Sequence, residues 1–324
     1  MLSQVVELIE NKHRFAITTH IKPDGDGVGS SLGLYWLLKS LGKDAEVLVR
    51  GEVPSAYRSL PGADQIHDIT AIAEDYDAVF VIECSDLSRP GIEGLERVTT
   101  VNIDHHSTSE HFGTINWIDS TASAVGEMIY NLCKAIGGRI TKDIAECVYM
   151  ALVTDTGSFH FSNTTERTLK VASELVKAGA RPSKIGEDVY NNYPWSRIEL
   201  MRQVLGTVKR DASGRVAALR QTLEMRRLAG AVDGDNNGFV NIPLAARDVL
   251  AVVYMREVGP NSYRASLRSK GDINVAKVAE KFGGGGHKNA AGLSVEGDWD
   301  EKEAELMNAL AEAIDNTANP ATDD

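Results

Sequence analysis

The hydrophobic positions in the first half of the chain follow two periods in turn. Short apolar runs predict buried strands, and segments with apolar residues three or four positions apart predict amphipathic helices. Strands are predicted over Arg14–His20, Ala45–Arg50, Ala78–Ile82 and Val98–Ile103, and helices over Leu2–Lys12, Ser31–Leu41, Ser123–Ile136, Lys142–Leu152 and Glu166–Ala178. Because strands and helices alternate, the pattern predicts an α/β fold with a doubly wound, mainly parallel sheet.

The second half of the chain predicts a smaller α/β domain behind a helical linker. Its strands are predicted over Arg215–Leu219, Val249–Glu257 and Tyr263–Ser269, followed by an amphipathic helix over Asn274–Phe282. We therefore expect a first domain over residues 1–185, a helical linker over residues 186–205, a second domain over residues 206–318 and a disordered tail over residues 319–324.

The composition agrees with two ordinary hydrophobic cores. The chain has 324 residues, of which 43% are hydrophobic and 25% are charged. It has no apolar run of about 18 residues and no signal-peptide pattern at its start, so we expect no membrane contact. Cys84, Cys133 and Cys147 form no C-x-x-C motif, which predicts reduced thiols and a cytoplasmic protein.

The net charge of −12 argues against binding to long duplex DNA, which depends on neutralising phosphates. The charge is unevenly distributed. From Ser294 onward, the sequence has ten acidic residues and a single basic residue, Lys302. In contrast, Arg256–Lys288 holds seven Lys and Arg residues against three Asp and Glu residues. The acidic end is typical of a solvated helix, and the basic stretch predicts a site for a small anion.

Several of the predicted segments in the first half end in acidic or histidine residues. These residues are His20, Asp24, Asp26, Glu83, Asp104, His105, His106 and Asp155. Ligands of open α/β sheets bind at the carboxyl ends of the strands, so we expect these side chains to meet at one edge. A surface loop with chance histidines would explain residues 104–106 alone, but the repetition of the pattern favours a site.

The segment between the first strand and the next helix is rich in glycine. We expect Pro23 and the glycines at positions 25, 27 and 29 to form a tight loop before a helix that begins at Ser31. A G-x-G-x-x-G motif would need glycine where Ser30 stands, and no Gly-Lys-Ser/Thr follows, which excludes two familiar phosphate-binding loops. A hydrogen-bonded loop without any ligand is the alternative.

Crowded carboxylates repel one another, and divalent cations are the usual way to neutralise them. Mixed carboxylate and imidazole donors suit ions such as Mn²⁺, Fe²⁺, Co²⁺ and Zn²⁺. A pair of metals about 3.5–4 Å apart that shares a carboxylate activates water for displacement at phosphorus. The residues therefore predict metal-dependent hydrolysis of a phosphoester or phosphoanhydride.

Two sets of motifs resemble one known superfamily. His20-x-x-x-Asp24-x-Asp26, Asp104-His105-His106 and Asp155-Thr-Gly resemble the motifs of the DHH phosphoesterases, which include RecJ exonuclease, family II pyrophosphatase and the NrnA-like nanoRNase/pAp phosphatases. Ser266-Leu-Arg268-Ser-Lys270 and the run from Gly283 to Gly292 resemble the DHH-associated substrate-binding domain of the last group.

The resemblance implies a role for each matching residue. His20 and Asp24 would hold one divalent cation. A second cation would be held by Asp26, His105 and Asp155. His106 would face the scissile phosphate, and Asp104 would orient a histidine. The cations would be Mn²⁺, with Mg²⁺ or Co²⁺ as alternatives. The bridging carboxylate, normally Asp, is here Glu83, with Asp86 as a nearby substitute.

The second domain would bind the substrate. The residues expected to do so are Arg268, Ser269, Gly284, Gly285, Gly286 and His287. We expect the glycine run to be unsuited to a helix or strand and to expose N–H groups that surround a phosphate. An arginine could bind the same phosphate through two parallel hydrogen bonds. A flexible linker is the alternative interpretation of the run.

The combined prediction is a phosphodiesterase that converts very short RNA to mononucleotides and also acts on 3′-phosphoadenosine 5′-phosphate (pAp). Two alternatives stay open: a phosphodiesterase for cyclic or linear dinucleotides such as c-di-AMP and pApA, and a nucleotide-binding protein whose catalysis Glu83 has impaired. The partners would be short single-stranded RNA or DNA or nucleoside bisphosphates. Family membership would also imply a homodimer.

Overall fold

The computed structural model describes residues 1–318, so the tail predicted over residues 319–324 lies outside the described residues. The chain divides into two compact units, Met1–Asn192 and Tyr193–Asp324. The division falls within the segment 186–205, for which a helical linker is predicted. One helix, Pro182–Tyr190, ends the first unit, and another, Trp195–Leu205, opens the second.

The first unit contains a sheet of six parallel strands, which confirms the predicted α/β fold. The strands are β1 (Arg14–Thr19), β2 (Asp44–Val49), β3 (Ile66–Asp68), β4 (Ala78–Ile82), β5 (Thr100–Asp104) and β6 (Ile115–Ile118), in the order β3-β2-β1-β4-β5-β6. The helices are α1 (Leu2–Asn11), α2 (Gly25–Ser40), α3 (Val125–Ala135), α4 (Lys142–Asp155), α5 (Glu166–Ala178) and α6 (Pro182–Tyr190).

The strand order reverses between β1 and β4, so the chain continues from β1 towards one edge of the sheet and from β4 towards the other. This is the point at which open α/β sheets bind their ligands. All six helices contribute apolar residues to the large core on one face of the sheet. The loop residues Ile72 and Ile92, and Leu95 at the start of a short 3-10 helix (Leu95–Arg97), cover the other face.

The helix α2 begins at Gly25, so the prediction of a loop before a helix at Ser31 was wrong. Asp24 lies at the cap position and accepts a hydrogen bond from the Gly27 N–H at 3.0 Å. A carboxylate at this position satisfies a free N–H group of the first turn, which stabilises the helix start. A capped helix can therefore begin directly after β1 despite its glycines.

The glycines of α2 are required by its close approach to α4. A Cβ atom on Gly25 would lie 2.3 Å from Cγ2 of Thr154, and one on Gly29 would lie 2.5 Å from the carbonyl oxygen of Cys147. Larger residues would separate the two helices. The sequence pattern predicted a tight loop here, whereas the structure uses the glycines for helix packing.

The second unit contains a mixed sheet, which confirms the predicted second α/β domain. Its elements are α7 (Trp195–Leu205), β7 (Lys209–Arg210), β8 (Val216–Gln221), α8 (Leu223–Ala229), α9 (Asn241–Leu244), β9 (Ala251–Gly259), β10 (Ser262–Ser269), α10 (Val275–Lys281), β11 (Gly285–His287), β12 (Ala290–Glu296) and α11 (Trp299–Ala318). The strand order is β11-β12-β10-β9-β8-β7, and only β8 and β9 pair in parallel.

One face of this sheet packs against α10 and α11, and the other is covered by α7, α8 and α9 only near β8 and β9. Apart from the approach of α9 to β10, no helix covers the outer face of β10, β12 and β11 in the part of the chain that is described. Within residues 1–318, no helix combines the length and apolar character that spanning a lipid bilayer requires.

Part of the glycine run forms the edge strand β11, so the prediction that it is unsuited to a strand was wrong. Gly286 pairs with Ala291 of β12 and has a positive φ of 146°. A Cβ atom on Gly286 would lie 2.5 Å from the carbonyl oxygen of Ala290. Only glycine allows the edge strand to come this close to its neighbour.

Candidate metal centre

The candidate site lies where the carboxyl ends of β1, β4 and β5 meet. His20 directly follows β1, Glu83 directly follows β4, and Asp104 ends β5. The start of α2 contributes Asp24 and Asp26, and Asp155 is the last residue of α4. Strands and helix ends thus bring together residues that are far apart in the sequence.

Within the described residues, the predicted ligands form three groups whose donor atoms lie within 4.8 Å of one another. The groups are His20, Asp24 and Glu83; Asp26, Glu83, His105 and Asp155; and Glu83, His105 and His106. Glu83 belongs to all three groups. It is therefore the one carboxylate that can be shared between neighbouring sets of ligands.

Glu83 is held in a conformation that few side chains adopt. It has a positive φ of 57° and is 4% exposed. Its Oε2 lies 3.5 Å from Nε2 of His20 and has no hydrogen-bond partner among the described residues. A Cβ atom on Gly27 would lie 3.0 Å from the same oxygen, so this glycine leaves room for the longer carboxylate.

Burial and mutual repulsion shift the pKa values of the carboxyl groups upward. Burial raises the pKa of Glu83 well above its usual range, and the charges of Asp26, Asp24 and Asp155 raise it further. Burial and then Asp26 raise the pKa of Asp155 to about 7, and burial likewise raises that of Asp26. A divalent cation would remove this repulsion, which makes the cluster suited to bind one.

The two imidazoles at the centre are oriented by backbone carbonyl groups. His105 Nδ1 lies 3.1 Å from the Ala122 oxygen, and His20 Nδ1 lies 3.0 Å from the Ile21 oxygen. Each contact leaves Nε2 directed at the carboxylates, and His105 Nε2 is buried without a hydrogen-bond partner among the described residues. Such an unpartnered nitrogen, opposite an equally unpartnered Glu83 oxygen, fits a metal ligand.

Asp26 and Asp155 complete the group around His105. Its Nε2 lies 3.8 Å from Asp26 Oδ2 and 3.6 Å from Asp155 Oδ2. Asp26 is fully buried and accepts hydrogen bonds from the Ser30 hydroxyl at 2.6 Å and from the Val125 N–H at 2.7 Å. These bonds fix the carboxylate without closing it off from the cluster.

Asp104 is fully buried and orients the two histidines that follow it. Its Oδ1 accepts hydrogen bonds from the N–H groups of His105 at 2.8 Å and His106 at 3.3 Å, and lies 2.8 Å from His106 Nδ1. Burial opposes its ionisation, but the hydrogen bond from His106 helps to keep the pKa of Asp104 below its ordinary value. The same bond raises the pKa of His106.

Asp86, the alternative bridge, has a different partner. Its Oδ1 accepts hydrogen bonds from the N–H of Ser88 at 2.9 Å and from the Ser88 hydroxyl at 2.5 Å. It belongs to none of the three ligand groups of the described residues. Asp86 therefore stabilises the turn after β4, whereas Glu83 lies in the cluster.

Sequence reasoning missed Asn163. Its Nδ2 donates hydrogen bonds to the Ser123 oxygen at 3.0 Å, the Asp155 backbone oxygen at 3.1 Å and Asp155 Oδ2 at 3.4 Å. It lies in an irregular polar segment, where neither periodicity nor motif spacing distinguishes it from other surface residues. Only the fold brings it against a site residue.

Known proteins can be compared with this arrangement. The model of the DHH family, N-terminal domain, matches residues 14–152, and that of the DHHA1 domain matches residues 222–317. A protein from Thermus thermophilus, named bifunctional oligoribonuclease and PAP phosphatase NrnA, is 32% identical over 97% of this chain and 94% of its own length. The chain belongs to the DHH family. The resemblance inferred from the motifs is thereby confirmed.

Solved structures agree with this membership of the DHH family. An exopolyphosphatase-related protein from Bacteroides fragilis is 29% identical and has a TM-score of 0.89, with 96% of this chain and 95% of that chain covered. RecJ from Thermus thermophilus, solved in complex with Mn²⁺, is 14% identical with a TM-score of 0.56 over 97% of this chain and 55% of its own. The likeness to RecJ shows a shared fold alone.

In the DHHA1 domain, the predicted substrate-binding residues lie at one end of the sheet. Arg268 of β10, Ala290 of β12 and His287 of β11 are register neighbours and therefore share the outer face. Arg268 is half-buried, and burial lowers its pKa. It donates a hydrogen bond to the Leu267 oxygen at 3.0 Å and has no carboxylate partner among the described residues.

Ser269 lies on the opposite, buried face of β10. Its hydroxyl donates to the Ile273 oxygen at 2.7 Å and accepts a hydrogen bond from Asn289 Nδ2 at 3.0 Å. Next to the glycine run, a depression of about 430 Å³ opens on the outer face. It is lined by Arg256, Arg264, Ala265, Ser266, Gly283, Gly284, Gly292, Leu293 and Ser294.

Gly284 and Gly285 play different parts in this arrangement. A Cβ atom on Gly284 would lie 2.4 Å from the Gly292 oxygen, so this glycine is needed for close packing against β12. Gly285 is exposed, and a Cβ atom there would meet nothing within 4 Å. The run therefore provides both tight packing and an open edge with exposed backbone.

Proposed function

We propose that this DHH-family chain hydrolyses RNA of a few nucleotides to mononucleotides and also acts on pAp. The observation that carries the proposal is that Glu83 belongs at once to two groups of potential metal ligands, one around His20 and one around His105. Phosphoesterases with two metals use a shared carboxylate of this kind. The name of the Thermus thermophilus relative, bifunctional oligoribonuclease and PAP phosphatase, supports the same substrates.

Two divalent cations would be held by residues of the first unit. The ligands of one are His20 and Asp24, those of the other are Asp26, His105 and Asp155, and Glu83 is common to both. Mn²⁺ suits the mixture of imidazole and carboxylate donors, with Mg²⁺ and Co²⁺ as weaker candidates. When bound, the pair supplies an activated water and neutralises charge on the phosphoryl oxygens.

The chain's own residues handle the leaving group. His106 lies beside His105, with ring centroids 4.9 Å apart, and the hydrogen bond with Asp104 orients it and raises its pKa, which favours the protonated form. A protonated imidazole next to the scissile phosphate stabilises the departing oxygen and can donate a proton to it. Asp104 acts through His106 and His105 and does not itself contact the substrate.

The DHHA1 domain would bind a further phosphate of the substrate. Arg268 offers a guanidinium without a carboxylate partner among the described residues, His287 is exposed, and the segment from Gly284 to Gly286 offers backbone N–H groups. Ser269 supports this face through Asn289 and the turn at Ile273.

The proposal extends to location and assembly. The three cysteines are buried and unpaired, which suits the reducing cytoplasm. A homodimer is the assembly that family membership implies, and light scattering of the purified protein would measure the molar mass.

The deciding experiment measures hydrolysis of labelled RNA from dinucleotides to pentanucleotides, a long single-stranded RNA, pAp and pApA, with Mn²⁺ present. We expect fast cleavage of the short RNAs, slow cleavage of the long one, and loss of activity in Glu83→Ala and Asp104→Ala. Cleavage of pApA alone would move the protein to dinucleotide turnover. Nucleotide binding without any hydrolysis would mean that Glu83 has impaired the centre.

A further inference from the structure

The segment Ala122–Gly126, just before and at the start of α3, contacts two predicted ligands of the second cation, His105 and Asp26, and is joined to a third, Asp155, through Asn163. Its first carbonyl oxygen lies 3.1 Å from His105 Nδ1. Its last two N–H groups donate to Asp26, at 2.7 Å to Oδ2 and at 3.1 Å to Oδ1. Asn163 connects it to Asp155, because Nδ2 donates both to the Ser123 oxygen and to the aspartate.

This segment is clamped at both ends by a single arginine. Arg167 of α5 donates through its Nε to Glu127 and through a terminal nitrogen to Asp119 Oδ2 at 3.3 Å. Asp119 precedes the segment and Glu127 follows it. The Asp119 N–H also donates to the Asp104 backbone oxygen at 3.0 Å, which joins the clamp to the strand that carries the histidines.

Glu127 turns the clamp into a rigid unit. The residue is fully buried, and its Oε2 accepts hydrogen bonds from the Ser123 hydroxyl at 2.7 Å and the Ser123 N–H at 3.2 Å. Thr168 of α5 donates to the same oxygen at 3.4 Å. Glu127 is buried, whereas the Arg167 side chain is 43% exposed, so the ion pair adds little net stability and its benefit here is a fixed geometry.

The other ligand group is independent of this segment. His20 Nδ1 contacts the carbonyl oxygen of its own neighbour, Ile21, and Asp24 accepts its hydrogen bond from Gly27. Neither residue has a hydrogen bond to the segment among the described residues. Any displacement of the segment should therefore act on one ligand group and spare the other.

We propose that Arg167 and Asn163 are positioning residues that set the affinity of the Asp26–His105–Asp155 site for its cation through the segment Ala122–Gly126. This inference rests on the proposed two-metal centre. It goes beyond the ligand assignment, because neither residue is one of the assigned ligands and, among the described residues, Arg167 reaches the site only through Glu127 and Asp119.

The test compares Mn²⁺ binding by calorimetry and by the electron paramagnetic resonance of free Mn²⁺ in wild type, Arg167→Met and Arg181→Met. Arg181 is a matched control, because it pairs with the buried Glu146 and neither residue hydrogen-bonds a predicted ligand in residues 1–318. We expect Arg167→Met to weaken one of two Mn²⁺ sites about 10–100-fold. The other site, and both sites of the control, should change by less than about twofold.

Asn163→Ala provides a second variant that leaves the ion pair intact and decides the matter if Arg167→Met does not fold. It too should weaken one site selectively. Equal weakening of both sites, or no change in a folded variant, would overturn the inference. Two intact Mn²⁺ sites without hydrolysis would overturn the proposed function alone, and a wild type that binds fewer than two Mn²⁺ would overturn both.

Discussion

The metal centre and the outer face of the second sheet are built in opposite ways. In the metal centre, Glu83, Asp26 and Asp104 are buried, and most ligands are oriented by a second residue. On the sheet face, His287 is exposed and Arg268 has a single backbone partner. The difference shows that crowded like charges must be held in place and neutralised. Binding of one anion requires only a cationic side chain and free N–H groups on an open surface.

The largest effect should come from Glu83→Gln, which removes the shared carboxylate from every ligand group. Hydrolysis of a diribonucleotide should fall about 10³-fold or more, because metal activation contributes several kcal/mol to the rate. In the metal-free protein the same change removes buried repulsion, so the melting temperature measured with a chelator should rise.

Glu83→Asp is the matched variant, because it keeps the charge and shortens the side chain by one methylene group. It should retain activity with a changed metal dependence. Similar losses in Glu83→Gln and Glu83→Asp would contradict the central role of a shared carboxylate at this position.

The next effect concerns pH and metal removal. The pKa of Asp155 is raised to about 7 from an ordinary value of 3.8, so its contribution to stability is fully present below about pH 4 and is lost as pH rises through 7. Mn²⁺ binds the ionised form. The stabilisation that Mn²⁺ adds over a chelator should therefore increase with pH up to about 7, as urea unfolding at several pH values would measure.

An Mn²⁺ stabilisation that is independent of pH would contradict the coupling of these carboxylates. Arg268 on the sheet face contributes no such pH dependence to anion binding, since an arginine stays charged throughout this range.

A smaller effect is expected on the sheet face itself. Arg268→Met should raise the KM for short RNA about 10–100-fold with little change in kcat, because one charge-assisted hydrogen bond contributes about 1.5–3 kcal/mol to binding. Arg210→Met is the control, since Arg210 is exposed on β7 at the opposite edge of the same sheet. A fall in kcat with unchanged KM would place Arg268 in the chemical step instead.

The smallest effect should come from the edge strand. Gly286→Ala puts a Cβ atom 2.5 Å from the Ala290 oxygen at a φ of 146°, and should destabilise the second unit by about 1–3 kcal/mol. Gly285→Ala meets nothing within 4 Å and should leave the melting temperature nearly unchanged. Equal melting temperatures of the two variants would mean that the strand is not constrained by β12.

The sequence predicted seven of the twelve strands, those with a strong local signal, and it missed β3, β6, β7, β11 and β12. Ala78–Ile82 is a continuous apolar run, and the structure has the same boundaries for β4. The helix α5 likewise begins at Glu166 and ends at Ala178, as its periodicity predicted. The predicted start of α2 was wrong. Closely spaced glycines in a sequence indicate a loop, whereas here the neighbouring helix α4 requires them for its close approach.

By itself, the sequence determined the α/β fold, the family and the residues that gather at one sheet edge, because acidic and histidine residues recur where predicted segments end. Only the tertiary structure decided which of the predicted ligands lie close to Glu83 and which of them the segment Ala122–Gly126 contacts. The bond from Val125 to Asp26 spans 99 residues, and the bond from Arg167 to Glu127 spans 40. Contacts over such distances leave no periodicity in the chain, since they arise only when separate elements pack together.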